Sequence, residues 1–243
     1  MEDHTRLSLS LNSLRELKHP EELDQALSQI CTLFGLTHMT FLVVRTGISS
    51  VSHPFYCSTY PRDWVQTYLA CGYFDIDPVI DIIRTGFLPV DWSTLPQRSP
   101  EAVRFFEEAQ CHGIGPNGLT IPVRGANGER CLFSVTSDVS KAQWSSLCMS
   151  SVHDLHVLSH YLHEKVLALT GLREAARYRD LSRRERQCLQ LLAKGKIYKQ
   201  IAAALGISEI SVRLHIRSAR GKLGAQTSHQ AVAKASFLEL INF

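Results

Sequence analysis

Hydrophobic and polar positions change period along the chain. Around residues 39–45, 55–58, 119–124 and 131–136 the apolar residues alternate or run together over short stretches, which predicts strands. Asn127-Gly128 separates the last two runs and is a hairpin signal. Apolar residues at helical spacing predict helices over 21–34, 62–71, 99–112 and 140–168. Strands interleaved with helices place the first 170 residues in the α+β class, as an α/β/α sandwich with helices on both faces of a sheet.

The pattern after residue 180 is wholly helical. Ser182-Arg183-Arg184-Glu185 is a capping box, in which the serine accepts from the backbone N–H three residues on and the glutamate reaches back. A helix over 182–194 ends at Gly195, a second over 198–205 stops at Gly206, and Ile207-Ser208 starts a third over 209–223 that ends at Gly224. Two helices joined by a short glycine turn form a helix-turn-helix, whose second helix is suited to a major groove. In that helix Val212, Ile216, Ala219 and Leu223 form a buried stripe, and Arg213, Arg217 and Arg220 fall at i, i+4, i+7 on another. Such arginines fork onto guanine edges or grip phosphates.

Charge sharpens the division. The 243-residue chain carries a net charge of only +3, yet from Gly171 onward 14 Lys and Arg face 5 Asp and Glu, while the first 170 residues are net −6. A basic module on a longer acidic one fits a polyanion-binding unit under separate control. The expected division is 1–170 for ligand binding and dimerisation, 171–180 as linker, and 181–243 for DNA binding. No stretch nears the roughly 18 to 20 apolar residues of a membrane helix. The start, Met1-Glu2-Asp3-His4, is acidic and unlike a secretory signal, so a cytoplasmic protein without membrane contact is expected. Seven cysteines form no CxxC, and they read as small buried hydrophobes rather than disulfides or metal ligands. His153, His156, His160 and His163 share one side of the long helix, but no further ligands complete a metal site. GxSxG, HExxH and phosphate-cradling glycine loops are absent, which argues against an enzyme.

One constellation carries further chemistry. Tyr60, Trp64 and Tyr68 lie at i, i+4, i+8 on one helix side, with Asp77-Pro78 and Trp92 downstream. Spacing alone leaves two readings open: ordinary core aromatics, or an apolar pocket whose few polar tips and one carboxylate take a small ligand with carbonyls and an amide N–H.

Two resemblances bear on that choice. Leu181-Ser182-Arg183-Arg184-Glu185, Gln200-Ile201-Ala202, Leu205-Gly206-Ile207-Ser208, Val212, His215 and Lys222-Leu223-Gly224 resemble the four-helix DNA-binding domain of the LuxR/FixJ class. Tyr60-Pro61, Trp64, Tyr68, Asp77-Pro78, Trp92-Ser93, Phe105-Phe106, Ala109 and Gly118 to Pro122 are similar to the autoinducer-binding domain of LuxR-type quorum-sensing regulators. The resemblance implies a transcription factor that binds an acyl-homoserine lactone and no other cofactor. It would bind a palindromic promoter as a homodimer, with half-sites about one helical turn apart, and work with RNA polymerase as a ligand-dependent activator. A different small molecule, or release of a repressor by ligand, is the alternative.

By the same resemblance Trp64 donates to the lactone carbonyl, Asp77 accepts the amide N–H, and Tyr60 and Ser134 contact the acyl-side carbonyl. Tyr68, Trp92, Phe105 and Ala109 wall the pocket, while Lys199, Ser208, Ser211, Arg213, Arg217 and Arg220 face DNA. Retention of Trp64 and Tyr68 speaks against the plant-responsive relatives. One departure stands out: the segment 113–118 is one residue longer than the usual spacing between its glycines, beside the acyl tail.

Overall fold

The computed structural model describes residues 3–46, 55–95, 99–126, 128–172 and 181–241. Asn127 of the expected hairpin and residues 173–180 of the expected linker lie outside the described residues. The chain divides into two compact units, one of residues 1–125 and 129–173 and one of residues 126–128 and 174–243, each with its own core.

The first unit is built on an antiparallel sheet of β1 (His38–Arg45), β2 (Phe55–Ser58), β3 (Val90–Asp91), β4 (Asn117–Arg124) and β5 (Arg130–Ser137), in the order β2-β1-β5-β4-β3. Successive side chains on a strand point to opposite faces, so the register decides what each face is made of. Met39, Phe41 and Val43 of β1 join Leu119, Ile121 and Val123 of β4 and Cys131, Phe133 and Val135 of β5 on one apolar face. Three helices bury that face: α1 (Asp3–Glu16), α2 (Leu23–Phe34) and α6 (Lys141–Thr170). Phe34, Leu27, Ile30, Leu155, Leu158 and Leu162 pack there with almost no exposure. The opposite face is covered by α3 (Arg62–Ala70), α4 (Pro78–Thr85) and α5 (Pro100–Cys111), through Trp64, Val79, Ile82, Phe105 and Ala109. Helices thus lie on both faces of the sheet.

Two helices go beyond the sequence expectation. α1 carries Leu7, Leu11 and Leu14 on one stripe, but Ser8, Ser10, Asn12 and Ser13 between them mask the helical signal. α4 is only two turns long, with Asp77 as N-cap and Pro78 at its first position. Two other expectations are corrected. His163 does not share the outward side of α6 with His153, His156 and His160; it borders the apolar stripe and turns inward toward Phe41, with ring centroids 6.4 Å apart. Among the cysteines, Cys71, the C-cap of α3, and Cys111, the last residue of α5, are exposed, and Cys148 is half-buried.

The second unit contains α7 (Arg183–Ala193), α8 (Tyr198–Leu205), α9 (Glu209–Lys222) and α10 (Ser228–Phe237). The left-handed Gly206, φ +63°, makes the turn between α8 and α9. Val212, Ile216, Ala219 and Leu223 are all buried. Glu185 is the polar centre: it completes the capping box by accepting from the Ser182 N–H at 2.6 Å, and it also accepts from Ser218 Oγ and Lys222 Nζ at 2.7 Å each. Burial pushes its carboxyl up, but the hydrogen bonds from Lys222, Ser218 and Ser182 outweigh burial and hold it at about 2.

A buried carboxylate that ties α7 to α9 is costly to neutralise. Glu185→Gln is expected to destabilise this unit by about 2 kcal/mol at neutral pH. Because the folded carboxyl titrates below its ordinary value, its contribution is present above pH 4.5 and lost as pH falls toward 2. Thermal melts of wild type and variant should therefore differ at pH 7 and converge on acidification; equal melts at pH 7 would refute this role.

Candidate ligand cavity and nucleic-acid interface

Between the second sheet face and α3, α4 and α5 lies a cavity of about 100 Å³, partly open to solvent. Its lining is almost entirely apolar and aromatic, which makes each polar group in it informative. Tyr60, Trp64, Tyr68, Asp77, Trp92, Phe105, Ala109 and Ser134 all line it. Trp64 and Tyr68 come from one side of α3, but Tyr60 does not share that helix as its spacing suggested: Pro61 caps α3, and Tyr60 reaches the cavity from the bend before it.

The roof is an aromatic cluster in which Trp64 meets Tyr68 edge to face and Tyr73 and Phe105 at a tilt, with ring centroids 5.7 to 5.9 Å apart. Tyr73 is fixed in turn by a hydrogen bond from its hydroxyl to Glu108. Trp64 is 3% exposed and lines the cavity. Its indole N–H is a donor carried on the cavity wall.

Asp77 supplies the opposite chemistry. Its Oδ1 accepts from the Val79 N–H at 2.8 Å as the cap of α4, and its Oδ2 accepts from the Tyr68 hydroxyl at 2.8 Å. Burial raises the Asp77 carboxyl to about 6, against the opposing hydrogen bonds from Val79 and Tyr68. Each oxygen keeps a further lone pair for an incoming donor. Burial and the neighbouring Asp77 charge push the Tyr60 and Tyr68 hydroxyls up, so both stay protonated donors.

The sheet adds a row of hydroxyls, of which the sequence reading named Ser134 and missed the other three. The register aligns Ser58, Thr40, Ser134 and Thr120 across four strands. Thr40 and Ser58 are linked at 2.5 Å and Thr120 and Ser134 at 2.8 Å, and the Trp92 indole donates to Thr120 at 2.8 Å. The available signal was polar residues recurring inside apolar strands, but only the register shows that they meet. Trp92 also lies against Gly118, where a Cβ would come within 2.2 Å of the indole ring. Glycine is required there by the close approach of that ring.

On the second unit, Arg213 and Arg217 are exposed on α9, and Lys199 is exposed on α8. The Arg213 guanidinium lies 4.9 Å from the centre of the Tyr198 ring, which orients it. Ser208 caps α9 by accepting from the Ser211 N–H at 3.1 Å, with the two hydroxyls 2.9 Å apart. Arg220 differs from its two neighbours in the stripe: its guanidinium donates to the Gln226 carbonyl and braces the turn after α9.

A sandwich enclosing an apolar cavity with a few convergent polar groups, followed by a four-helix unit with a basic helix-turn-helix, defines a small-molecule-responsive DNA-binding regulator. Residues 19–166 match the autoinducer binding domain, and residues 179–235 match the bacterial regulatory proteins of the luxR family. The transcriptional activator protein RaiR of Rhizobium etli is 43% identical over 87% of this chain and 82% of its own. The transcriptional activator protein VanR of Vibrio anguillarum is 29% identical over 94% of each. The crystal structure of Escherichia coli SdiA has the same fold, with a TM-score of 0.70 over 99% of both chains at 21% identity. The chain belongs to the LuxR family and is a LuxR-type transcriptional regulator with an autoinducer binding domain.

Two outcomes follow from the cavity geometry. Gly118→Ala should displace the Trp92 indole and cost about 1 to 3 kcal/mol, read as a lowered melting temperature with loss of the 2.8 Å bond to Thr120; an unmoved indole in a crystal structure of the variant would refute it. The raised Asp77 carboxyl also makes the empty unit lose stability as pH rises from about 4 through 6, since the folded state holds that proton longer. Asp77→Asn should abolish that part of the pH dependence of melting, and an unchanged profile would contradict the titration.

Proposed function

We propose that this chain is a quorum-sensing activator whose first 170 residues bind an N-acyl-homoserine lactone and whose residues 181–243 bind DNA, with 171–180 as the linker. Its role is regulatory, not catalytic. The observation that carries the reading is a half-buried carboxylate, Asp77, on the wall of a largely apolar cavity that Trp64 also lines. A lactone has the matching groups: a ring carbonyl for Trp64, an amide N–H for Asp77, an acyl-side carbonyl for Tyr60 and Ser134, and an apolar tail. Tyr68, Trp92, Phe105 and Ala109 then enclose it.

Filling the cavity removes unpacked space from the core and stabilises the folded state by mass action. A stabilised homodimer would hold two copies of α9 over a palindrome, with Arg213 and Arg217 at base edges and Lys199, Ser208 and Ser211 at the backbone. Arg220 supports that surface from behind. RNA polymerase recruitment would convert occupancy into activation. The name of the 43% identical relative, an activator, supports that sign of regulation.

The test is binding of the full chain to a palindromic duplex across a panel of straight, branched and aromatic acyl-homoserine lactones. One acyl class should promote binding, and Asp77→Asn should weaken that response about 10- to 100-fold by removing a hydrogen bond to a charged acceptor. Lactone affinity should fall about tenfold from pH 7 to pH 5, as the acceptor carboxyl, at about 6, takes up a proton. Arg217→Ala should cost about 1 to 3 kcal/mol on the specific site and less on random duplex. Well-folded protein indifferent to every lactone would move the input to a different small molecule.

A further inference from the structure

The outward face of α9 carries a feature that phosphate gripping does not use. Ile210 is 71% exposed and Leu214 is 59% exposed, one helical turn apart. Both are large aliphatic side chains, and each stands three residues from an exposed arginine: Ile210 from Arg213, and Leu214 from Arg217. Residues three and four apart are surface neighbours on a helix, so the four side chains make one face of two parallel rows, one apolar and one cationic. Ile210 is the second residue of the helix, at the end that reaches base edges when such a helix docks.

That combination selects a surface. The major groove presents guanine O6 and N7, which an arginine fork takes, and a single kind of apolar group, the thymine 5-methyl. Charge complementarity favours the groove over a protein partner, since Arg213 and Arg217 flank the two aliphatics and Lys199 is exposed on the preceding helix. Side chains one turn apart lie about 5 to 6 Å from each other, within reach of methyls one to two base steps apart.

We propose that Ile210 and Leu214 read thymine methyl groups in the major groove, beside guanines taken by Arg213 and Arg217. This rests on the reading of α9 as the recognition helix and extends it to base preference. The two aliphatics contribute discrimination, and the arginines contribute most of the affinity.

The experiment is selection of a randomised 20-base-pair duplex pool by the full chain with a mixture of acyl-homoserine lactones. The recovered duplex is then remade with each thymine replaced singly by uracil, which removes only the methyl. Wild type should lose about fourfold in affinity at one or two half-site positions, the worth of roughly one buried methyl. Ile210→Ala should lose that sensitivity at one position and Leu214→Ala at another, with binding to random duplex at low salt unchanged as evidence that both variants fold. If wild type is indifferent to uracil at every position, or if both variants keep the wild-type sensitivity, the two side chains belong to a protein-facing surface and the proposal is overturned. If the well-folded chain enriches no sequence from the pool and also fails to bind random duplex at low salt, the DNA-binding reading of α9 falls, and this inference falls with it.

Discussion

A five-stranded sheet must bury both of its faces, and here the two are buried by different means. On one face Met39, Phe41, Ile121 and Phe133 meet α1, α2 and α6 in a continuous apolar core. On the other, the same strands present Thr40, Ser58, Thr120 and Ser134, hydroxyls that cannot be left dry without partners. Those hydroxyls are satisfied in pairs and by the Trp92 indole, while α3, α4 and α5 stand off far enough to leave a cavity. Period-two alternation on a single sheet therefore produces a scaffold on one side and a binding site on the other.

The two units spend polar groups in opposite ways. Glu185 in the C-terminal unit is saturated by Ser182, Ser218 and Lys222, and it fixes where α9 stands relative to α7. Asp77 in the N-terminal unit is only partly satisfied, by Val79 and Tyr68, and burial leaves its carboxyl close to half-charged near pH 6. A saturated buried carboxylate is structural; a partly satisfied one facing a cavity has capacity left for a ligand. Under the proposed function, the contrast is between a rigid DNA-facing unit and a ligand-binding unit whose stability depends on occupancy.

Much of this was legible in the chain itself, for specific reasons. Capping boxes and glycine stops write out the C-terminal helices nearly residue by residue, because local hydrogen bonds decide them. The spacing of Trp64 and Tyr68 likewise marks one side of α3, whereas Tyr60, which shares that spacing, stands in the bend before the helix. What stayed hidden depends on contacts between distant residues. The hydroxyl row exists only through strand register, and α4 is a short helix whose cap, Asp77, also faces the cavity. Arg220 shares its spacing with Arg213 and Arg217, yet it is drawn off by the Gln226 carbonyl, a partner that follows from the turn after α9.

The central claim is that the cavity beneath Asp77 is the seat of a lactone signal. Its most direct test is to purify the full chain from cells supplied with an equimolar mixture of acyl-homoserine lactones, extract the protein with solvent, and identify what it retained by mass spectrometry. The account predicts one acyl class recovered at about one molecule per chain and none from the Asp77→Asn protein. Recovery of a well-folded wild-type chain with no lactone, or equal retention by the variant, would contradict it.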